Sequence, residues 1–161
     1  MKENFVAVVA GLIMFAVAVC SAAPGRYDDI PKADIAIGGI TLGADESYVK
    51  RIYGEPNEVS YKETGVFGRT KIFQYGNSFF VTFSNNKKEW HVLEVKSTGN
   101  NGLKTPSGFT VGMKLSDVYN RYGPGRTGDN SVFYTSNWWL NIMFKGDKNG
   151  KITEIYIYPT P

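Results

Sequence analysis

The 161-residue chain has very few of the residues that build disulfide frameworks, zinc sites and catalytic triads. It contains one cysteine, Cys20, and one histidine, His91. A disulfide framework needs several cysteines, and most triads need a histidine beside a nucleophile and an orienting acid. His91 follows Trp90 in a charged region, and the sequence has no signature of a nucleophile or of an orienting acid to accompany it. We therefore expect His91 to be an ordinary strand-edge residue. The sequence therefore predicts no catalytic residue, no metal site, no cofactor, and a protein that is not an enzyme.

A large excess of one charge is also lacking. Eighteen Lys and Arg residues against 15 Asp and Glu residues give a net charge of +3. No run of basic residues is longer than two, which argues against nucleic acid as a partner. Hydrophobic residues make up 42% of the chain and aromatic residues 14%. This composition is typical of a folded globular domain and not of a disordered chain.

The longest apolar run, residues 5–19, is shorter than the roughly 20 residues that a membrane span needs. Lys2 precedes the run and small residues follow it, which is typical of a secretory signal peptide. We expect cleavage after Ala22 and export of the mature chain to the periplasm, the cell surface or the medium. We expect no membrane span in the mature chain. The alternative is a lipid anchor at Cys20. The residues before it, 17–19, match a lipobox poorly and favour simple cleavage.

Two segments of the chain, 69 residues apart, resemble each other. Seven of the 16 positions from 39 to 54 are identical to their counterparts from 108 to 123. Each segment predicts a short helix that ends at a glycine followed closely by a proline. The identical pairs are Gly39/Gly108, Thr41/Thr110, Gly43/Gly112, Ser47/Ser116, Val49/Val118, Tyr53/Tyr122 and Gly54/Gly123. The pattern indicates an internal repeat.

Three strand-like runs follow each predicted helix, rich in β-branched and aromatic residues and separated by turn-forming residues. Asn149-Gly150, between the last two runs, is typical of a type I′ hairpin. The predicted fold class is α+β: two tandem repeats, each a short helix and a three-stranded antiparallel meander, sharing one sheet with the helices on one face. The runs are 71–75, 78–83, 92–96, 131–135, 138–144 and 152–158. The predicted divisions are signal peptide 1–22, exposed lead-in 23–36, repeat 1 at 37–98, linker 99–107 and repeat 2 at 108–161.

Alternation along these strands places an aromatic stripe on the sheet face opposite the helices. An antiparallel sheet can leave one face in water. Tyrosine, tryptophan and methionine are enriched at protein interfaces, and a large exposed apolar patch rarely goes unused. The predicted protein-binding face consists of Phe80, Trp139, Met143, Tyr156 and Tyr158. The alternatives for this stripe are packing under a crossing loop and stacking on carbohydrate.

The segment from Gly39 to Pro56 combines a G-x-T-x-G start with a short helix that ends in Y-G-x-P. It resembles the repeat of the β-lactamase-inhibitor-protein-like (BLIP-like) fold and the related SmpA/OmlA family of small outer-membrane lipoproteins, and residues 108–124 resemble it again. The resemblance implies a sheet formed jointly by both repeats. It also implies a protein partner, gripped by the open sheet face in the inhibitor and assembled at the outer membrane in the lipoproteins. This chain lacks the inhibitor's disulfides and has two repeats where the lipoproteins usually have one.

Together these patterns predict an exported module of the bacterial cell envelope, or a secreted one, that is not an enzyme and binds a protein through the open aromatic face. One alternative is an inhibitor of a secreted or periplasmic enzyme. An alternative of another class is an envelope hydrolase that acts through carboxylates. A deep cleft with two carboxyl groups of raised pKa would indicate that hydrolase.

Overall fold

The computed structural model describes residues 28–86 and 89–160. The predicted signal peptide, Cys20 and the start of the lead-in lie outside the described residues. The elements in chain order are a 3-10 turn at Lys32–Asp34, α1 at Glu46–Tyr53, β1 at Glu58–Thr64, β2 at Gly68–Tyr75, β3 at Phe79–Asn86, β4 at Glu89–Ser97, α2 at Leu115–Tyr122, β5 at Arg126–Gly128, β6 at Ser131–Ser136, β7 at Leu140–Gly146 and β8 at Ile152–Pro159.

The strands form one antiparallel sheet in the order β1-β2-β3-β4-β8-β7-β6-β5. Four consecutive strands come from each half of the chain, and the last strands of the two halves meet in the middle. Val95 of β4 pairs there with Ile157 of β8. Helix α1 packs against β4 and α2 against β7, so one sheet spans both halves.

The predicted fold class is wrong. The structure is an eight-stranded antiparallel sheet with two eight-residue helices, and not two three-stranded meanders with helices. The strands that the prediction missed are β1 and β5, which form the two edges of the sheet. Six of the seven β1 residues and all three β5 residues are exposed. Because edge strands like these bury neither face, their sequences lack the apolar alternation that identifies a strand.

The two helices begin and end where the sequence indicates. Asp45 precedes α1, and Gly54 and Gly123 follow the helices with φ angles of +75° and +85°. These left-handed angles favour glycine, which has no Cβ to clash. Helices of eight residues are marginal in isolation. Both therefore depend on burying one face, and Val49 of α1 and Val118 of α2 are fully buried.

The core lies between the helices and one face of the sheet. Its aromatic side chains pack edge to face, as Phe73 does on Phe83 with ring centroids 4.7 Å apart. The fully buried hydrophobic residues are Ile37, Ile40, Val49, Val81, Phe83, Val95, Val118, Val132, Tyr134, Ile142, Phe144, Ile155 and Ile157. Residues that alternate with these along the strands point to the opposite face, which we call the open face.

The lead-in predicted to be exposed is partly buried in its described residues, although Asp29 and residues 31–33 are exposed. Ile30 and Ile35 are 5% and 2% exposed and belong to the core. The Ile30 N–H donates to the Thr135 carbonyl at 2.8 Å, and the Thr135 N–H donates to the Asp28 carbonyl at 2.8 Å. The segment therefore extends the sheet beside β6, beyond the point where β5 ends. Single isoleucines among charged residues show no periodicity, so this packing has no signature in the sequence.

The β7–β8 connection is a hairpin, but its turn is not the predicted type I′. That turn needs positive φ at both central residues, and of the Asn149-Gly150 pair only Gly150 has it, at +73°. The Asp147 carboxylate accepts hydrogen bonds from the Asn149 and Lys151 N–H groups at 2.8 and 2.9 Å. These bonds, above all the one from Lys151, hold the pKa of Asp147 below its usual value. An aspartate turn thus replaces the tighter one.

Candidate functional site

One row of side chains crosses the open face from edge to edge. Directly paired residues of antiparallel strands point to the same side of the sheet, so the register fixes the row. From β1 to β5 it reads Glu58, Gln74, Phe80, Lys96, Tyr156, Met143, Phe133 and Arg126. We call this the transverse row. Its five central members, Phe80 to Phe133, are all half-buried.

The middle of the transverse row is a continuous aromatic cluster around one lysine. The Lys96 ammonium lies 5.7 Å from the Phe80 ring centroid and 5.9 Å from that of Tyr156. These distances are within the range of cation–π attraction. Tyr156 in turn stacks on Tyr158, with centroids 4.8 Å apart and planes 22° apart. Three of the predicted face residues, Phe80, Tyr156 and Tyr158, therefore form one cluster with Lys96, and Met143 pairs with Tyr156 beside it.

Two tyrosines of this cluster are held in their protonated form. Burial raises the pKa of Tyr156 well above its usual value, and a hydrogen bond with the Glu94 carboxylate raises it further. Burial also raises the pKa of Tyr158, although nearby Arg126 lowers it in part. Tyr156 is consequently a neutral donor at physiological pH, and its hydroxyl donates to Glu94. The open face thus presents hydroxyl groups beside apolar rings, a combination common at protein interfaces.

A cleft of about 270 Å³ opens beside the cluster, between it and the β1–β2 hairpin. Apolar side chains and threonines line most of the cleft. The charged groups that the described residues contribute to it are two lysines and one carboxylate, that of Glu94. Its lining is Lys62, Thr64, Phe67, Thr70, Ile72, Phe80, Thr82, Leu93, Glu94, Lys96 and Tyr156. A cleft of this size can receive one or two side chains of a partner. Acid–base hydrolysis by carboxylates uses a pair, and this cleft presents one.

Trp139 lies in a turn and not in the strand where the sequence places it, and its part in the binding face stays a prediction. Strand β7 begins at Leu140, and Trp138 and Trp139 form the β6–β7 turn with Asn137. The φ angles of Asn137 and Trp138 are +52° and +67°, and a positive φ is unusual for a bulky residue. Trp139 is 67% exposed and its carbonyl accepts a hydrogen bond from the Thr160 N–H at 2.8 Å. It is therefore a turn residue outside the transverse row.

His91 belongs to a separate cluster near the start of β4, where that strand runs beside Asp45. Its Nδ1 lies 3.0 Å from the Asp45 carboxylate and its Nε2 lies 3.6 Å from Glu89. Asp45 directly precedes α1, so the pair joins β4 to the start of that helix. Sequence reasoning described His91 as an edge residue in a charged region and missed its contact with Asp45, because Asp45 is remote along the chain. The arrangement is a contact between one imidazole and two carboxylates, and the absence of enzymatic activity stays a prediction.

No family model matches the sequence, and no curated protein does. Solved structures similar to it include an extracellular protein containing a SCP domain from Bacillus anthracis str. Ames, with TM-score 0.43 and 12% identity over 85% of this chain and 47% of that one. Another is a DUF4309 family protein (YjgB) from Bacillus subtilis subsp. subtilis str. 168, with TM-score 0.45 and 14% identity over 83% of this chain and 90% of that one. This chain spans about half the length of the SCP-domain protein.

With TM-scores below 0.5, these likenesses carry no argument about where the protein is located or what it does. The resemblance to the BLIP-like fold and the SmpA/OmlA lipoproteins stays a prediction, as do the predicted domain boundaries. Among the described residues, neither helix has the length and apolar character that crossing a membrane requires.

Proposed function

We propose that this protein is an exported, non-enzymatic module that binds a protein partner through the open face. The contact is centred on Phe80, Lys96, Tyr156 and Met143, with the neighbouring cleft receiving side chains of the partner. The observation that carries the proposal is the half-buried aromatic cluster at the centre of the transverse row, directly beside a cleft. The cluster and the cleft lie on the face opposite both helices.

The chemistry of this face suits an interface better than a merely solvated surface. The wet face of an antiparallel sheet is ordinarily polar, whereas this one presents the Phe80 ring on β3 and the stacked Tyr156 and Tyr158 rings on β8, with Lys96 of β4 between them. Aromatic residues and methionine dominate the centres of interfaces, and polar groups surround them. Lys62, Glu94 and the threonines of the cleft supply such a polar surround. Their mixed charges favour a partner surface that also carries both signs.

The test is capture of a partner by residues 23–161 from envelope fractions and culture medium, with a variant that removes the cluster. Phe80→Ala/Tyr156→Ala deletes two central rings. Tyr119→Ala, on α2 and 36% exposed, is the matched control on the helix side. We expect the wild type and the control to capture the same protein and the double variant to lose it. Circular dichroism confirms that each variant is folded.

Equal capture by a folded double variant, or failure of every form to capture a protein, would refute the proposal. Inhibition of a secreted or periplasmic enzyme is the narrower form of the same function. It would be established if the captured partner is an enzyme whose activity falls when it binds the wild type and does not fall with the double variant.

A further inference from the structure

Strand β1 forms a long edge of the sheet that no described strand covers on its outer side. Its pairing with β2 is continuous from Glu58↔Gln74 to Thr64↔Gly68, without a bulge. The opposite edge is different, because β5 has three residues and the segment at Asp29 continues it alongside Thr135. An edge strand presents unpaired backbone N–H and C=O groups, which favour pairing with another strand. β1 therefore offers seven residues for such pairing.

The sequence of β1 is complementary to itself when two copies run antiparallel about Ser60. In that register Glu58 of each copy lies opposite Lys62 of the other, and Val59 lies opposite Tyr61. Opposite charges and aromatic–β-branched pairs are both stabilising when they face each other across strands. All four side chains are exposed, Val59 by 46% and Tyr61 by 53%. Each favourable pair occurs twice, because a two-fold interface uses the same surface in both copies.

Neighbouring registers lack this complementarity. Centring the pair on Tyr61 places Val59 opposite Glu63, and centring it on Lys62 places two lysines opposite each other. A register centred between two residues would pair open-face residues with helix-side residues and turn the open face of one copy to the helix side of the other. Charged residues on an edge strand ordinarily oppose pairing with another strand. In the register centred on Ser60, however, Glu58 and Lys62 carry opposite charges and attract each other.

We propose that two copies of this chain associate through β1, antiparallel and centred on Ser60, into one continuous sheet. Both open faces then lie on the same side, with the two clefts flanking the junction, since Lys62 and Thr64 line each cleft. This inference rests on the edge strand and does not depend on the proposed function. Two linked binding faces would strengthen attachment to a partner that presents repeated sites.

Sedimentation velocity of residues 23–161 over a wide concentration range, at low salt, tests the dimer. Lys62→Glu places like charges opposite each other at two points, and we expect the dissociation constant to rise about tenfold or more. Glu58→Lys/Lys62→Glu exchanges the charges and should restore wild-type association. Lys145→Glu makes the same charge change at an exposed β7 residue, and we expect no effect on the dimer.

Three results would overturn the proposal. A wild-type chain that stays monomeric at every concentration excludes the dimer, including the case in which β1 pairs with a different protein. Unchanged association of Lys62→Glu excludes the register about Ser60. Failure of the charge-exchanged variant to recover, although circular dichroism shows it folded, excludes the Glu58–Lys62 pairing.

Discussion

Replacing Glu46 by glutamine should destabilise the protein far more than an ordinary surface substitution. Glu46 lies in the first turn of α1 and pairs with Lys71 of β2, which is only 7% exposed. The Lys71 ammonium also lies 4.3 Å from the Trp90 ring centroid. Without the carboxylate, the amino group of this largely buried lysine loses its ion-pair partner. The pair therefore anchors α1 to the sheet electrostatically.

The magnitude follows from the burial of the two partners. Removing one partner of a fully buried ion pair costs about 3–5 kcal/mol, and an exposed pair contributes about 0–1 kcal/mol. The Glu46 side chain is 24% exposed, and the Lys50 ammonium lies 3.7 Å away. We therefore expect Glu46→Gln to lower the free energy of unfolding by about 2 kcal/mol, between these limits. The Glu46→Gln/Lys71→Met double variant also removes the amino group left without its ion-pair partner and should recover at least half of that loss.

Urea unfolding followed by tryptophan fluorescence measures these differences. Glu55→Gln is the matched control, because Glu55 also pairs with Lys50, at 2.9 Å, but its side chain is 77% exposed. We expect this control to change the free energy of unfolding by no more than about 0.5 kcal/mol. If Glu46→Gln is as mild as the control, or if the double variant is less stable than the single one, the reasoning about Lys71 is refuted.

Three further predictions concern stability. Tyr134→Phe removes a hydrogen bond of 2.7 Å from a buried hydroxyl to the Gly123 carbonyl, so urea unfolding should show a loss of about 1 kcal/mol; an unchanged midpoint would contradict this. Trp139→Ala should alter the unfolding free energy by less than about 0.5 kcal/mol, because the side chain is 67% exposed, and a loss of several times that would show that the turn depends on the ring. Burial raises the pKa of Tyr122 to about 12, and the unfolded chain has a tyrosine pKa of about 10. The protonated form thus favours the fold, so its contribution is complete below pH 10 and declines as the pH rises through about 12; urea midpoints that do not fall across that interval would contradict this.

The helix boundaries could be predicted from the sequence because their signals are local. Gly54 and Gly123 must adopt a left-handed conformation wherever the rest of the chain lies, and their positions end both helices. Alternation also placed Phe80, Met143 and Tyr156 on the face opposite the helices, since side chains of one strand alternate independently of its neighbours.

The edges and the long-range contacts could not be predicted. Strands β1 and β5 have too few buried residues to show an apolar alternation. Ile30 is buried because its segment pairs with β6, which is remote along the chain. Lys96 and Glu94 were missed as site residues. They enter the site because β4 lies beside β8, and a pairing between distant strands has no signature in either strand alone. The alternation of polar Glu94 and Lys96 with buried Leu93 and Val95 was the local signal that could have drawn attention to them.

Site-specific photo-crosslinking in the native cells shows whether the open face contacts a protein. A benzophenone amino acid placed at Tyr156 lies in the middle of the open face, and one placed at Tyr119 lies on α2. We expect a discrete crosslinked adduct of this protein with a partner from position 156, and none from position 119. An adduct from position 119 alone, or no adduct from the open face, would contradict the claim that this face binds a protein.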